Sequence, residues 1–247
     1  MEDIFMSILA DLQYSVFTNK RIEPEVANLS EMLSQINGLN KYTFFPNIAV
    51  NTNIDINTGM VTHVNNVSFV TLNQMIDINC LNDRIDVNIH PNNENQNIEI
   101  KEHIEFARAA MNIIMNNNGI LANRLAINAF LLSKTFDKNI QETKLGGKYC
   151  QLLDFYTGKQ IEEWFVKTNS RRNIIVEQEE TLNVITELST VIDKATAKKR
   201  FLCHMDINTL FENNGYRFST NNLEKFDEEV LSIINEIKTN YDGDCDE

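Results

Sequence analysis

Nowhere in these 247 residues does an apolar run reach the roughly 18 positions that would suggest a membrane-spanning helix. The opening MEDIFMSILADLQ carries acids where a secretory signal carries basic residues, so the expectation is a cytoplasmic protein with no membrane association. The four cysteines, Cys80, Cys150, Cys203 and Cys245, are scattered and form no CxxC pair. That spacing argues against a disulfide framework or a zinc site and fits reduced thiols. Proline and glycine number three and eight, and no Pro/Gly/Ser-rich linker divides the chain. A single compact unit over residues 1–247 is therefore expected, with candidate sublobes 1–118 and 119–247 meeting near Gly119. Also missing are GxGxxG, GxSxG and HExxH, the local signatures of dinucleotide binding, a nucleophile elbow and a helical zinc site. The Gly-Gly-Lys of LGGKY (145–149) lacks phosphate-loop spacing and reads as a hairpin turn.

Positive charge is in short supply. The formal net charge is -13, a field that repels nucleic-acid phosphate and anionic membranes and so disfavours general binding to either. The densest basic stretches, Arg171–Arg172 and Lys198–Lys199–Arg200, are short for a nucleic-acid patch. The same acidity is compatible with a soluble monomer, a partner for a basic protein, or an inhibitor that mimics DNA. Asparagine clusters such as NNENQN and MNNN supply good turn formers between structured segments.

What is present in abundance is alternation. In NIAVNTNIDIN, the residues Ile48, Val50, Ile54 and Ile56 share one side, which predicts a strand with one wet face. MIDINC places Ile76, Ile78 and Cys80 inward, and RIDVNI does the same with Ile85, Val87 and Ile89. VSFV reads as another strand, and short links such as NTG and LND favour hairpins, so residues 47–90 are expected to form an antiparallel meander. Further strands are expected in ILANRLAINAFLLS, KYCQLLDFY, RRNIIVEQEE, TLNVITELSTVI and KRFLCHMDIN, with GKQIEEWFVK as a short helix or turn. Residues 1–20 suit either a helix or a strand.

Helical period appears three times. Pro24 and Glu25 suit the start of a helix bearing Val26, Leu29, Leu33 and Ile36, closed by Gly38. Ile100, Ile104, Ala107, Met111, Ile114 and Met115 form a stripe that stops at Gly119. Asn221 with Glu224 suggests a capped start for a last helix carrying Leu223, Phe226, Val230, Ile233, Ile234 and Ile237, ahead of a frayed acidic YDGDCDE tail. Strands then helix, followed by strands then helix, predicts an α+β fold of antiparallel sheets packed with a few long helices.

Candidate chemistry concentrates in DRIDVNIHPNNENQNIEIKEHIEF, which brings Asp83, Asp86, His90, Glu99, Glu102 and His103 into one short span. On the strand, Asp86 and His90 face away from Ile85, Val87 and Ile89. On the helix, Glu99, Glu102, His103 and Glu105 fall mostly off the apolar stripe. The plainer reading is a solvated strand face followed by an acid-rich helix start, which favours the helix dipole. His204 has Asp206 next on its own side of a strand, a pair that suits general-base chemistry or a simple surface contact. His63 stands among polar turn residues. No catalytic, cofactor or metal residue is assigned. Abundant Met and Phe, with Met111 and Met115 on a helical stripe, serve the core, and any surplus on an exposed sheet would mark a protein-binding surface.

The succession of meander, long helix, NRLAIN, and then HMDINTLF and YRFSTNNLEKF leading into a terminal helix resembles SecB-like proteins. It is also similar to uncharacterised relatives from bacterial toxin–antitoxin and phage-defence settings. The resemblance lies in element order over most of the chain and transfers no residue's role. It implies a non-catalytic, protein-binding subunit, antitoxin-like or chaperone-like, whose partner is another protein or a further copy of itself. The other classes carried forward are an acidic DNA mimic and a divergent metal-dependent hydrolase or nuclease using His204–Asp206 or Asp86 with His90.

Overall fold

The computed structural model describes residues 7–22, 26–39, 41–54, 58, 60–91, 99–134, 163–194 and 196–246, with backbone only at 26, 27, 51, 53, 54, 62–65 and 242–246. Pro24, Glu25, LGGKY, KYCQLLDFY and the His63 side chain lie outside that description. In chain order the elements are β1 (Ile8–Thr18), α1 (Val26–Asn37), β2 (Phe44–Ile54), β3 (Val61–Thr71), β4 (Ile76–Cys80), β5 (Arg84–Ile89) and α2 (Ile100–Asn118). There follow β6 (Ala122–Leu132), β7 (Phe165–Val176), β8 (Gln178–Ile192), β9 (Lys199–Thr209) and α3 (Thr220–Asp246). The class is α+β, and the nine strands make one sheet in the order β2-β3-β4-β5-β1-β6-β9-β8-β7, with every neighbouring pair antiparallel.

The order contains a repeat. β1 is followed in sequence by residues 19–43, then by strands that return to it through β5, then by α2. β6 is followed by residues 133–164, then by strands that return to it through β9, then by α3. β1 and β6 pair with each other along nearly their whole length, from Ile8↔Leu132 to Thr18↔Ala122, so the two runs share the middle of the sheet.

One face of the sheet carries the helices. Leu12, Tyr14 and Val16 of β1, Ile85, Val87 and Ile89 of β5, and Cys203, Met205 and Ile207 of β9 are buried there, as their alternation predicts. Met111 and Met115 are buried in the same core, as are Cys80 and Cys203. Tyr14 meets Phe226 of α3 with ring centroids 6.2 Å apart, and Phe44 of β2 stacks on Phe106 of α2 at 5.9 Å. Burying each such ring stabilises the fold by roughly 1.5–3 kcal/mol. α2 ends where Gly119 adopts φ 58°, donating its N–H to Asn116 O while Ile120 donates to Met115 O at 2.9 Å, a Schellman stop that only a residue at ease in the left-handed region makes cheaply. No helix among the described residues is long and apolar enough to cross a membrane.

Several local expectations are corrected. The ambiguous N-terminal segment is a central strand from Ile8 to Thr18. RRNIIVEQEE is not one strand, because Glu177 at φ 67° makes the turn between β7 and β8. The last residues of GKQIEEWFVK enter β7. α3 starts at Thr220, not after Asn221: Ser219 occupies the cap position, and its N–H donates to Asn222 Oδ1 at 2.6 Å. The helical backbone continues through Asp246, where a frayed tail was expected. The apolar side of NIAVNTNIDIN is exposed, with Ile48 at 46% and Val50 at 62%. β2 is an edge strand, and β4 pairs only with residues 67–70 of β3, so residues 49–54 and 61–66 form a two-stranded ribbon beyond the third strand.

Candidate binding face of the sheet

Side chains of the opposite parity point away from the helices. On this second face the pairing builds rungs that cross the strands. Asn79, Asp86, Ser15, Ala126, Asn208, Asn183 and Arg171 make one rung from β4 to β7. Asp77, Asn88, Gln13, Asn128, Asp206, Ile185 and Asn169 make the next. Most of these side chains are half-buried, and among the described residues all three helices lie on the other side. The face is rich in amides and mixed in charge: Asp11, Asp77, Asp86, Glu187 and Asp206 stand among Arg84, Arg124, Lys167 and Arg171.

Asp86 is the most enclosed carboxylate on it, at 3% exposure. Ser15 Oγ donates to Asp86 Oδ1 at 2.6 Å, while Arg84 Nε donates to Oδ2 at 2.9 Å and its NH2 group lies 2.9 Å from the same oxygen. Burial pushes the Asp86 pKa up, and the Ser15 and Arg84 hydrogen bonds pull partly against it. The wet side of the strand thus holds a buried acid.

His90 lies farther along, with Nδ1 3.2 Å from Asp11 Oδ2 and Nε2 3.5 Å from Asp77 Oδ1. Asp77 also accepts from Asn88 Nδ2 at 2.7 Å and from Asn79. His204 does not pair with Asp206. Its Nδ1 faces Glu187 Oε2 and its Nε2 faces Asn128 Oδ1, each at 3.2 Å, and Phe130 stacks on the ring at 4.1 Å with planes 4° apart. Glu187 also accepts from Lys167 Nζ at 2.6 Å, and the Lys167 and His204 hydrogen bonds hold its carboxyl below the usual range. Asp206 accepts from Asn208 Nδ2 at 2.7 Å instead.

The suspected cluster therefore does not converge. Asp86 and His90 take different partners on the open face, and Asp83 sits in the exposed β4–β5 turn. Glu99 and Glu102 are exposed at the start of α2, where Glu102 pairs with Lys41 at 3.1 Å. His103, expected off the apolar stripe, is 1% exposed, and neither ring nitrogen has a hydrogen-bond partner. The buried arc of α2 is wide because it packs on α1 and α3 as well as the sheet, so it takes in the position beside Ile104. Burial, reinforced by Lys41, lowers the His103 pKa to about 4. Among the described residues, no three His, Cys, Asp or Glu side chains are placed to hold a metal ion.

The basic stretches are dispersed as well. Arg172 pairs with Glu236 of α3, and Arg171 points to the other face. Lys199 and Arg200 are buried, with Arg200 NH2 2.7 Å from Asp193 and NH1 donating to Ser133 O at 3.1 Å.

A second buried group, unforeseen from the sequence, lies on the helix side. Asp227 of α3 is 2% exposed and faces the fully buried Tyr14 hydroxyl, with Arg108 Nε of α2 3.5 Å from its Oδ2. Neither Tyr14 nor Asp227 completes a hydrogen bond of ordinary geometry, yet they are close enough to affect each other's ionisation. Burial raises the Asp227 pKa to about 8, and burial with the nearby carboxylate raises the Tyr14 hydroxyl. The available signal was an acid directly after Phe226 on a helical stripe, opposite a tyrosine on the inward side of a strand.

No protein-family model matches the chain, and no curated protein matches it either.

Proposed function

We propose that this chain is a non-catalytic protein-binding module: an accessory subunit, antitoxin-like or chaperone-like, that works in a cytoplasmic bacterial complex, with phage defence as one setting. The observation that carries the reading is the face of the sheet on which, among the described residues, no helix packs. Its amides and carboxylates are held in rungs by cross-strand pairing, so a partner meets a preorganised surface and little side-chain entropy is lost on contact. The repeat in strand order supports the reading of two sublobes joined at β1 and β6, each with its own meander and helix. Exposed Phe45 adds an apolar side chain to this face at its β2 edge, while exposed Ile48, Val50 and Val61 lie on the other side of the β2–β3 ribbon.

The mixed charge of the open face weighs against a DNA mimic, which needs its carboxylates in an unbroken, phosphate-like track. His204 and Asp206 take separate partners, and so do Asp86 and His90, which weighs against a hydrolase built on either pair.

The test is capture from the native host with tagged wild-type chain and with Asn128→Trp, which places a bulky group in the middle of the face. The expected result is a defined protein at fixed stoichiometry with wild type, lost with Asn128→Trp while the melting temperature holds. Repeated recovery of the chain alone, as a monomer, overturns the proposal.

A further inference from the structure

The sheet ends in two edge strands, β2 and β7, and their sequences differ in kind. β7 carries Lys167, Arg171 and Arg172, all exposed. Charges of this sort guard an edge, because a second copy of the strand would set like charges side by side. β2 and its neighbour β3, 11 residues each, contain no Asp, Glu, Lys or Arg, in a chain that is 23% charged.

The guards that β2 does have sit at one end. Phe44 turns its backbone outward: its N–H donates to Asn37 Oδ1 at 2.7 Å, and its C=O accepts from Asn37 Nδ2 at 3.3 Å. The last residue of α1 thus closes the edge at this point. Register with β3 is unbroken from Phe44↔Thr71 to Ile54↔Val61, so every second residue after Phe44 directs its backbone the same way. Pro46 falls on that side, where its missing N–H takes nothing from the ladder. Ile48 and Val50 come next. Their N–H and C=O groups point outward, no described strand lies beyond them, and their side chains are well exposed. The ribbon of residues 49–54 and 61–66 lacks a third strand, and a two-stranded ribbon with an uncovered apolar side gains stability from a further strand.

Self-complementarity narrows what that strand is. Antiparallel pairing of β2 with itself about a two-fold axis keeps each residue on its own face, so exposed Ile48 and Val50 of one copy lie beside those of the other. Net charge points the same way. Two chains of -13 repel through most of their surface, and this edge lets a second copy approach without setting charge against charge.

We propose that β2 pairs antiparallel with β2 of a second copy through the backbone of Ile48 and Val50, with Val50 near the dyad, to form a two-fold dimer. The contact uses the same strand from both chains and therefore closes at two. It makes one sheet twice as wide, with both open faces on the same side. The dimer goes beyond the open-face reading and does not depend on it.

The test is the mass of the full chain in solution, by sedimentation over a wide concentration range at physiological salt. Wild type is expected to be a reversible dimer that tightens as added salt screens the repulsion between copies. Val50→Lys and Val50→Glu change an exposed side chain and should keep the melting temperature, yet each should be monomeric. Mixing the two should restore a one-to-one dimer. Val50→Lys lowers the net negative charge, so its failure to dimerise would not come from repulsion between whole chains. Hydrogen exchange at the Ile48 and Val50 amides should be slow in the dimer and fast in Val50→Lys. A wild-type monomer, open-ended assembly, a dimer indifferent to both variants, variants that stay monomeric on mixing, or a dimer whose Ile48 and Val50 amides exchange fast overturns the edge pairing. Asn128→Trp should leave the dimer intact, and its loss there would move the contact to the open face and overturn the proposal too. A wild-type monomer that captures a host partner sinks the dimer alone. A dimer that captures none leaves the edge pairing standing and sinks the open-face reading.

Discussion

The Ser15 hydroxyl donates to the Asp86 carboxylate at 2.6 Å across the β1–β5 pairing, and both groups are buried although they face away from the helices. Ser15 is one of two partners that keep this acid ionisable in a dry setting. Ser15→Ala should raise the Asp86 pKa further and destabilise the fold by about 1–3 kcal/mol, the cost of an under-satisfied buried acceptor. Because the folded pKa of Asp86 lies above the unfolded value, the protonated fold is favoured at low pH and stability declines as pH rises through the folded pKa. The variant should steepen that decline. Carboxyl-carbon titration by NMR, with urea melts at several pH values, checks both effects; equal stability of variant and wild type at neutral pH would refute the coupling.

The stack of Phe130 on His204 links β6 to β9 at 4.1 Å and holds the imidazole between Glu187 and Asn128. A double-mutant cycle with Phe130→Leu and His204→Gln should give a coupling of about 0.5–1.5 kcal/mol, in the range of aromatic pairs. Additive effects in thermal or urea melts would show that the stack contributes nothing of its own.

Much of the fold can be read from period alone, and the limits of that reading are physical. Ile76, Ile78 and Cys80, or Phe201, Cys203, Met205 and Ile207, alternate into a core because their strands have neighbours on both sides and helices above. Ile48 and Val50 alternate just as cleanly and are exposed, since alternation gives parity and says nothing of whether anything covers that side. On helices, the stripe from Ile104 to Met115 was legible, while His103 was missed because a helix packed on three neighbours buries a wider arc than a narrow stripe implies. The open-face network escaped for a different reason. Ser15 and Asp86 are 71 residues apart, and His204 meets Asn128 across 76, so these pairs are products of strand order, which local sequence does not encode.

His103 contributes acid sensitivity. Its pKa, lowered to about 4 by burial, is below the unfolded value of 6.5, so its stabilising contribution is present above 6.5 and lost as pH falls through 4. His103→Leu should flatten the loss of stability between pH 6.5 and 4. At neutral pH it should gain on the order of 1 kcal/mol by removing two buried ring nitrogens without partners. Urea midpoints across that range decide the matter, and an unchanged acid slope would mean that His103 is hydrated or paired in solution.

Asp227 works in the opposite direction. Its folded pKa of about 8, against 3.8 for an ordinary aspartate, means the fold holds a proton that the unfolded chain releases. Its contribution is full below pH 3.8, declines as pH rises, and is lost once pH passes 8. The groups that face it are Tyr14 from β1, Arg108 and Glu105 from α2, and Glu224 from its own helix, so the nearby charge is mixed and burial dominates. Asp227→Asn keeps the shape and removes the ionisation. It should match wild type near pH 4 and exceed it by a few kcal/mol at pH 9, an order-of-magnitude figure from about 1.4 kcal/mol per pKa unit discounted for local relaxation. Thermal melts of both proteins from pH 4 to 9 give the answer. Parallel curves would place the Asp227 carboxylate in contact with water or in a full ion pair with Arg108, and α3 would then rest on the sheet through Phe226 and its apolar neighbours alone.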